Sequence, residues 1–123
     1  MTGVQTCALP ILRETLAALG MTEELSFSFT SEKTLDKLGV PSDSSLRQAI
    51  PIMNPLTDEY PLIRTTLLTS VLENAARNAA RKNMDLRLFD IAPVFFPKAL
   101  PVTELADEKM KVVGLQRDRK SVV

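Results

Sequence analysis

The chain has 123 residues, 45% of them apolar, with fifteen basic and fifteen acidic residues and no net charge. That length suffices for one domain burying roughly two-thirds of its unfolded surface, and the charge balance argues against autonomous nucleic-acid binding while leaving a local basic patch open. Histidine is absent and Cys7 is the single cysteine, which excludes the commonest general base and metal ligand, an intrachain disulfide and a cysteine-based zinc site. No apolar run approaches the roughly 20 residues of a membrane span. The start lacks the basic and apolar regions of a secretory signal, so a reducing, cytoplasmic setting is expected.

In chain order, residues 1–11 carry Gly3, Cys7 and Pro10 without periodicity and are expected to be a disordered or foreign leader. Leu12, Leu16 and Leu19 share one helical face, and Gly20 stands where a left-handed residue would end that helix. Leu25 to Thr30 alternates apolar and small polar residues, the period of a half-buried strand, with Phe27 and Phe29 expected inward. Ser31 offers an N-cap and Glu32 a first-turn charge. Leu35 and Leu38 share a face, and Gly39 and Pro41 close a second short helix. Residues 41–45 read as a turn. Ala49 to Met53 is a possible strand, confined by Pro51 to an edge or bulge.

Asn54-Pro55 and Tyr60-Pro61 bracket a loop, after which Leu62 to Thr65 reads as a strand. Paired apolar positions at Leu67, Leu68, Val71, Leu72, Ala75, Ala76, Ala79 and Ala80 predict an amphipathic helix from about Thr69 to Lys82. Thr66 or Thr69 would cap it, Arg81 and Lys82 would sit at its negative end, and Asn83 would take the left-handed exit. Leu86 to Ile91 is the next strand, Pro93 a bend or edge marker before Val94 to Phe96, residues 97–107 a loop, and Met110 to Leu115 a last strand. Residues 117–123 fit nothing before them. The order predicts an α+β domain with an antiparallel sheet flanked by helices.

Several of these segments together resemble a known family. Asn54-Pro55-Leu56, Leu62 to Leu68, Leu72 to Asn78 and Arg87 to Ile91, preceded in order by Leu19-Gly20, Ser26 to Thr30, Leu38-Gly39 and Leu46-Arg47, look like the core domain of the β subunit of bacterial phenylalanyl-tRNA synthetases. The resemblance covers about Leu12 to Leu115. It implies a partial class II synthetase catalytic-module fold over residues 12–116. In that family this copy has lost catalysis and supports the α subunit, which uses ATP and magnesium to charge tRNA with phenylalanine. Two αβ pairs make the enzyme, and tRNA is met through the assembly. The ends, residues 1–11 and 117–123, match nothing in the family and are expected to be artefactual.

Class II modules place an ATP-holding arginine at the end of the strand corresponding to Asp85 to Phe96, and this chain has Phe96 there. Arg87 is the nearest substitute, although a packed arginine is the simpler reading. Ala92-Pro93 replaces the family's Gly-Arg, adding bulk and removing an amide donor. Thr69-Ser70 replaces Pro-Gly and still permits helix initiation. The family's editing region, magnesium-binding acids and anticodon-binding region would lie outside this segment.

No catalytic, cofactor-binding or metal-ligating residue is expected in the chain. Subunit-interface or structural candidates are Asn54, Arg64, Val71, Arg77, Asn78, Arg81, Arg87 and Asp90. Arg77, Arg81 and Lys82 form either a basic face for RNA or a solvated helix surface. The acidic pairs Asp58-Glu59 and Asp107-Glu108 diverge on a strand and read as solvated loop. Asp90 lies in an apolar strand and needs a partner, such as a backbone amide or Arg64. The expected function is a structural domain supporting the α subunit. The alternatives are an ATP-binding module with its own adenylation activity, or a free-standing RNA-binding module.

Overall fold

The computed structural model describes residues 3–101 and 103–118, with side chains from residue 8 onward. The elements in order are α1 (Gly3–Ala18), β1 (Thr22–Glu23), β2 (Phe29–Thr30), α2 (Glu32–Lys37), a 3-10 turn (Ser45–Arg47), β3 (Leu62–Ile63), α3 (Leu68–Ala80), β4 (Leu86–Phe96) and β5 (Asp107–Arg117). Two compact units result. One comprises Met1–Ser26, Ser70–Ile91 and Val112–Val123, the other Phe27–Thr69 and Ala92–Lys111.

The α+β class is as expected, but the sheet is mixed. β1, β4 and β5 form a three-stranded sheet in the order β1-β4-β5, and β2 and β3 form a separate two-stranded one. The β2–β3 pair is antiparallel, with Phe29 opposite Ile63 and Thr30 opposite Leu62. β1 runs parallel to β4, with Thr22 opposite Leu88 and Glu23 opposite Phe89, which corrects the antiparallel expectation. A parallel pair needs a long crossover, and the chain between Glu23 and Leu86 supplies one. Two exposed residues in β1 carry no periodicity that could have announced it.

In the first unit, Val71, Leu86 and Leu88 form the buried cluster, with Ala75, Val113 and Leu115 packed against it. Burial of such side chains stabilises by about 1.5–3 kcal/mol each. The predicted double column of apolar residues on α3 is buried on one side only. Leu67 and Val71 are buried, while Leu68 and Leu72 are substantially exposed.

The helix ends follow local chemistry. Gly20, with φ of 89°, ends α1 while its N–H reaches Ala17 O at 3.0 Å and that of Met21 reaches Leu16 O at 3.1 Å. Only glycine enters this conformation without a steric cost. α1 itself begins at Gly3, ahead of the expected Leu12, and carries Pro10 inside it. Helical hydrogen bonds are local, so a segment without an apolar stripe can still be helical. The Thr66 hydroxyl caps α3 by accepting from Leu68 N at 3.2 Å. At the other end Lys82, not the expected Asn83, is left-handed, with φ of 66°. For a residue with a Cβ that conformation costs about 1–2 kcal/mol.

In the second unit, Leu35, Ala49, Leu67 and Val94 are buried together with Thr30, Thr34, Thr65, Thr69 and Arg64. Ser31 caps α2 as predicted, its Oγ accepting from Thr34 N at 3.2 Å. The segment expected to be a strand over 49–53 makes one bridge, Pro51 to Leu62. Ile52 N to Pro61 O at 2.8 Å and Ile63 N to Ile50 O at 2.9 Å extend it. β4 runs unbroken through Pro93 to Phe96, and β5 exceeds the expected Met110–Leu115 at both ends. Residues 1–2 of the expected leader and 119–123 of the expected tail lie outside the described residues.

Candidate functional site

The most constrained polar side chain is Arg64, only 2% exposed. Its Nε donates to Pro93 O at 2.9 Å and its Nη1 to Phe27 O at 3.2 Å. Its own backbone N–H donates to Ser28 O at 2.9 Å, and its carbonyl accepts from Phe95 N at 3.1 Å. One residue therefore ties three segments of the second unit together. The guanidinium fork suits this task because its donors point in fixed, divergent directions. Pro93 provides one of the carbonyls it uses.

Asp90 is also buried, and its Oδ2 accepts from Ser26 Oγ at 2.5 Å. That contact explains why the phase of the 25–30 segment is reversed. Ser26 and Ser28 are half-buried, whereas Leu25 is 94% and Phe27 83% exposed and Phe29 is partly exposed. Alternation reveals a strand-like period without saying which face meets a polar neighbour, and here a buried carboxylate claims the serine side. Ser26→Ala removes one donor from that carboxylate and is expected to cost about 1–3 kcal/mol. A urea titration with an unchanged midpoint would refute that role.

Two further polar constellations were not legible as such. Glu24 is buried, its N–H donating to Phe89 O at 2.8 Å and its Oε2 accepting from Asn74 Nδ2 at 2.8 Å. Asn78 Nδ2 in turn donates to Asn74 O at 2.9 Å, and Asn83 Nδ2 to Asn78 Oδ1 at 3.0 Å. A row of amides along α3 and just past its end thus leads to a carboxylate beside β1. Asparagines inside a helix, where they are poor formers, were the available signal.

Arg47 is the second hub of the second unit. Its Nη1 meets Glu32 and its Nη2 meets Asp36, both at 2.8 Å, while Nε reaches Val40 O at 3.0 Å. The hydrogen bond it donates to Asp36, ahead of that to Glu32, raises its pKa against the opposing effect of desolvation. A raised folded-state pKa means the contribution is fully present below arginine's unfolded value and is lost only as pH rises through the folded one. Both lie far above neutrality, so Arg47 keeps its charge in ordinary buffers.

The remaining candidates are dispersed. Val71 is buried in the first unit's cluster and Asn78 belongs to the amide row. Asn54, Arg77, Arg81 and Arg87 are exposed. Asp58, Glu59, Asp107 and Glu108 are exposed, the latter two at the start of β5. Phe96 is half-buried, and Lys109 Nζ lies 5.7 Å from its ring centroid. Among the described residues no three His, Cys, Asp or Glu side chains converge on a metal position, and no helix is long and apolar enough to cross a membrane.

The buried polar groups tie irregular segments to β4 and α3, while Phe27, Met53 and Leu56 are exposed. The sequence matches the family described as the phenylalanyl tRNA synthetase beta chain CLM domain over residues 8–121, and the chain belongs to that family. It is 41% identical over 92 residues to the phenylalanine–tRNA ligase β subunit of Clostridium tetani, covering 72% of this chain and 12% of that one. Against the corresponding β subunit of Clostridium acetobutylicum it is 39% identical over 87 residues, covering 71% of this chain and 11% of that one. For Geobacter sulfurreducens the identity is 32% over 108 residues, covering 88% and 13%. The chain therefore spans about an eighth of the length of the curated relatives it matches.

Proposed function

We propose that this chain is a non-catalytic, class II synthetase-like core domain of a phenylalanine–tRNA ligase β subunit, with residues 12–116 as its body. Its task is to support the α subunit, which in the assembled enzyme uses ATP and magnesium to charge tRNA with phenylalanine. The setting is cytoplasmic, the assembly contains a second αβ pair, and tRNA meets the domain through that assembly. Family membership motivates the proposal, and the observation that carries it is the outward apolar surface. Phe27, Met53 and Leu56 are all more than four-fifths exposed in the second unit, and Leu68 and Leu72 leave the second apolar column of α3 uncovered. Apolar anchors of this kind are what a subunit interface buries. Phe96 stands where the resemblance places a nucleotide-holding arginine, and an aromatic ring cannot make a charge-assisted phosphate contact.

Phe27→Asp tests the reading directly, because the side chain is outside the core. Co-expressed with a cognate α subunit, the parent chain is expected to co-elute on gel filtration. The variant should melt at the parent temperature and bind α at least tenfold more weakly, since such hot-spot losses exceed about 2 kcal/mol. No complex with the folded parent, or equal affinity of the variant, would end the proposal. Phenylalanine-dependent pyrophosphate exchange by the chain alone would instead establish adenylation chemistry of its own.

A further inference from the structure

We propose that two copies of this chain pair edge to edge through β5, antiparallel, about a two-fold axis at Val112. In the order β1-β4-β5 this strand lies at one edge of its sheet. It is 11 residues long, and all of them except Val113 and Leu115 are exposed. Among the described residues, no backbone hydrogen bond from a turn or loop reaches it. A long open edge is a template for another strand, because every second residue turns an unpaired N–H and C=O outward.

Natural edge strands often carry lysine to discourage such pairing, and Lys109 and Lys111 stand on this one. What they exclude depends on register. Backbone groups of a strand point alternately to its two sides, so when the same edge of two copies meets, opposite residues share parity and the axis passes through one residue. Centring on Lys109 or Lys111 sets that lysine against itself. Centring on Met110 sets Lys109 against Lys111, on Val113 Lys109 against Arg117, and on Gly114 Lys111 against Arg117. Like charges directly opposite are destabilising. Centring on Val112 avoids them all, because Asp107 falls opposite Arg117, Lys109 opposite Leu115, Met110 opposite Gly114, Lys111 opposite Val113 and Val112 opposite its own copy. The two copies of Lys111 then meet only on a diagonal of about 7–8 Å, where long stems turn their ammonium groups apart.

Charge complementarity is therefore what selects a second copy as the partner. The two-fold axis makes the Asp107–Arg117 pair occur twice, once at each end of the paired strands. Both side chains are exposed, and among the described residues the ion pairs formed engage Arg13 and Arg47 and neither of these two. In strand addition the main-chain hydrogen bonds supply the affinity, and the cross-strand pairs fix the register. β5 carries none of the residues assigned above to α-subunit capture, so the two associations are measured separately and either can fail alone.

The experiment is sedimentation equilibrium of the 123-residue chain from about 1 to 200 μM, the range in which small interfaces associate. The mass is expected to rise with concentration toward twice the 13.6 kDa of one copy. Asp107→Arg and Arg117→Asp each set like charges opposite one another twice per dimer. Each should weaken association about tenfold without lowering the melting temperature, since both side chains lie outside the core. The double variant restores the pair with its sign reversed and should return to within about threefold of the parent constant. Asp58→Arg, an equal charge change away from β5, should leave association unaltered. Register is read by oxidative cross-linking in a Cys7→Ser background. Val112→Cys should form an interchain disulfide faster than Met110→Cys, whose two copies would lie about 13 Å out of line, beyond disulfide reach. A mass that stays at one copy, single reversals that associate like the parent, a double variant no better than either single, or equal cross-linking at the two positions would each overturn the proposal.

Discussion

Val71→Asp is expected to abolish cooperative unfolding of the unit built on Met1–Ser26, Ser70–Ile91 and Val112–Val123. Val71 is 1% exposed and sits in the cluster with Leu86 and Leu88. An aspartate there loses the apolar burial and places a carboxylate among side chains that offer no donor. Together these cost on the order of 4 kcal/mol or more, a large share of the 5–15 kcal/mol that holds a domain together. Circular dichroism during a thermal scan should show no sigmoidal transition for this variant. Val71→Ala separates the two contributions, because it removes only methyl groups and should cost about 2 kcal/mol while preserving the transition. If the aspartate variant melts within a few degrees of the parent, Val71 is not where the first unit's stability is concentrated.

Arg64→Ala is the second change with a large expected effect. It strands the carbonyls of Phe27 and Pro93, which accept from the guanidinium at 3.2 and 2.9 Å, and it leaves a void where a long side chain lay. The loss is on the order of 3 kcal/mol. Arg64→Lys should recover little of it, since a single ammonium cannot reproduce a fork of divergent donors. Hydrogen exchange gives the local readout, with faster exchange expected at the amides of Arg64 and Phe95, whose bonds to Ser28 O and Arg64 O join the same segments. Full rescue by lysine would show that charge alone, and not the geometry of the fork, is what the site needs.

The candidate residues differ in how legible they were. Val71 was readable as core because it repeats with Leu67 and Ala75 at helical spacing. Arg64 was readable as special only through its place in a resembling motif. An arginine next to a strand carries no local mark of being buried, and its partners Phe27 and Pro93 lie 37 and 29 residues away. Arg47 was quoted in the resemblance without a role, and the structure places it between Glu32 and Asp36 as the hub of α2 and the turn that follows. Asp90 was identified as needing a partner, and that partner proved to be Ser26, a residue expected to face away from the core.

The Ser31 cap, the glycine exits at Gly20 and Gly39 and the apolar line of α3 were determined by the sequence alone, because each rests on contacts within about four residues. Family membership was legible for a similar reason, as an ordered set of short motifs. The parallel pairing of β1 with β4, the outward turn of Phe27 and the burial of Arg64 were decided only by the tertiary structure. Each depends on which distant segment arrives beside a residue, and a period of two or of 3.6 specifies a face without specifying what that face will meet.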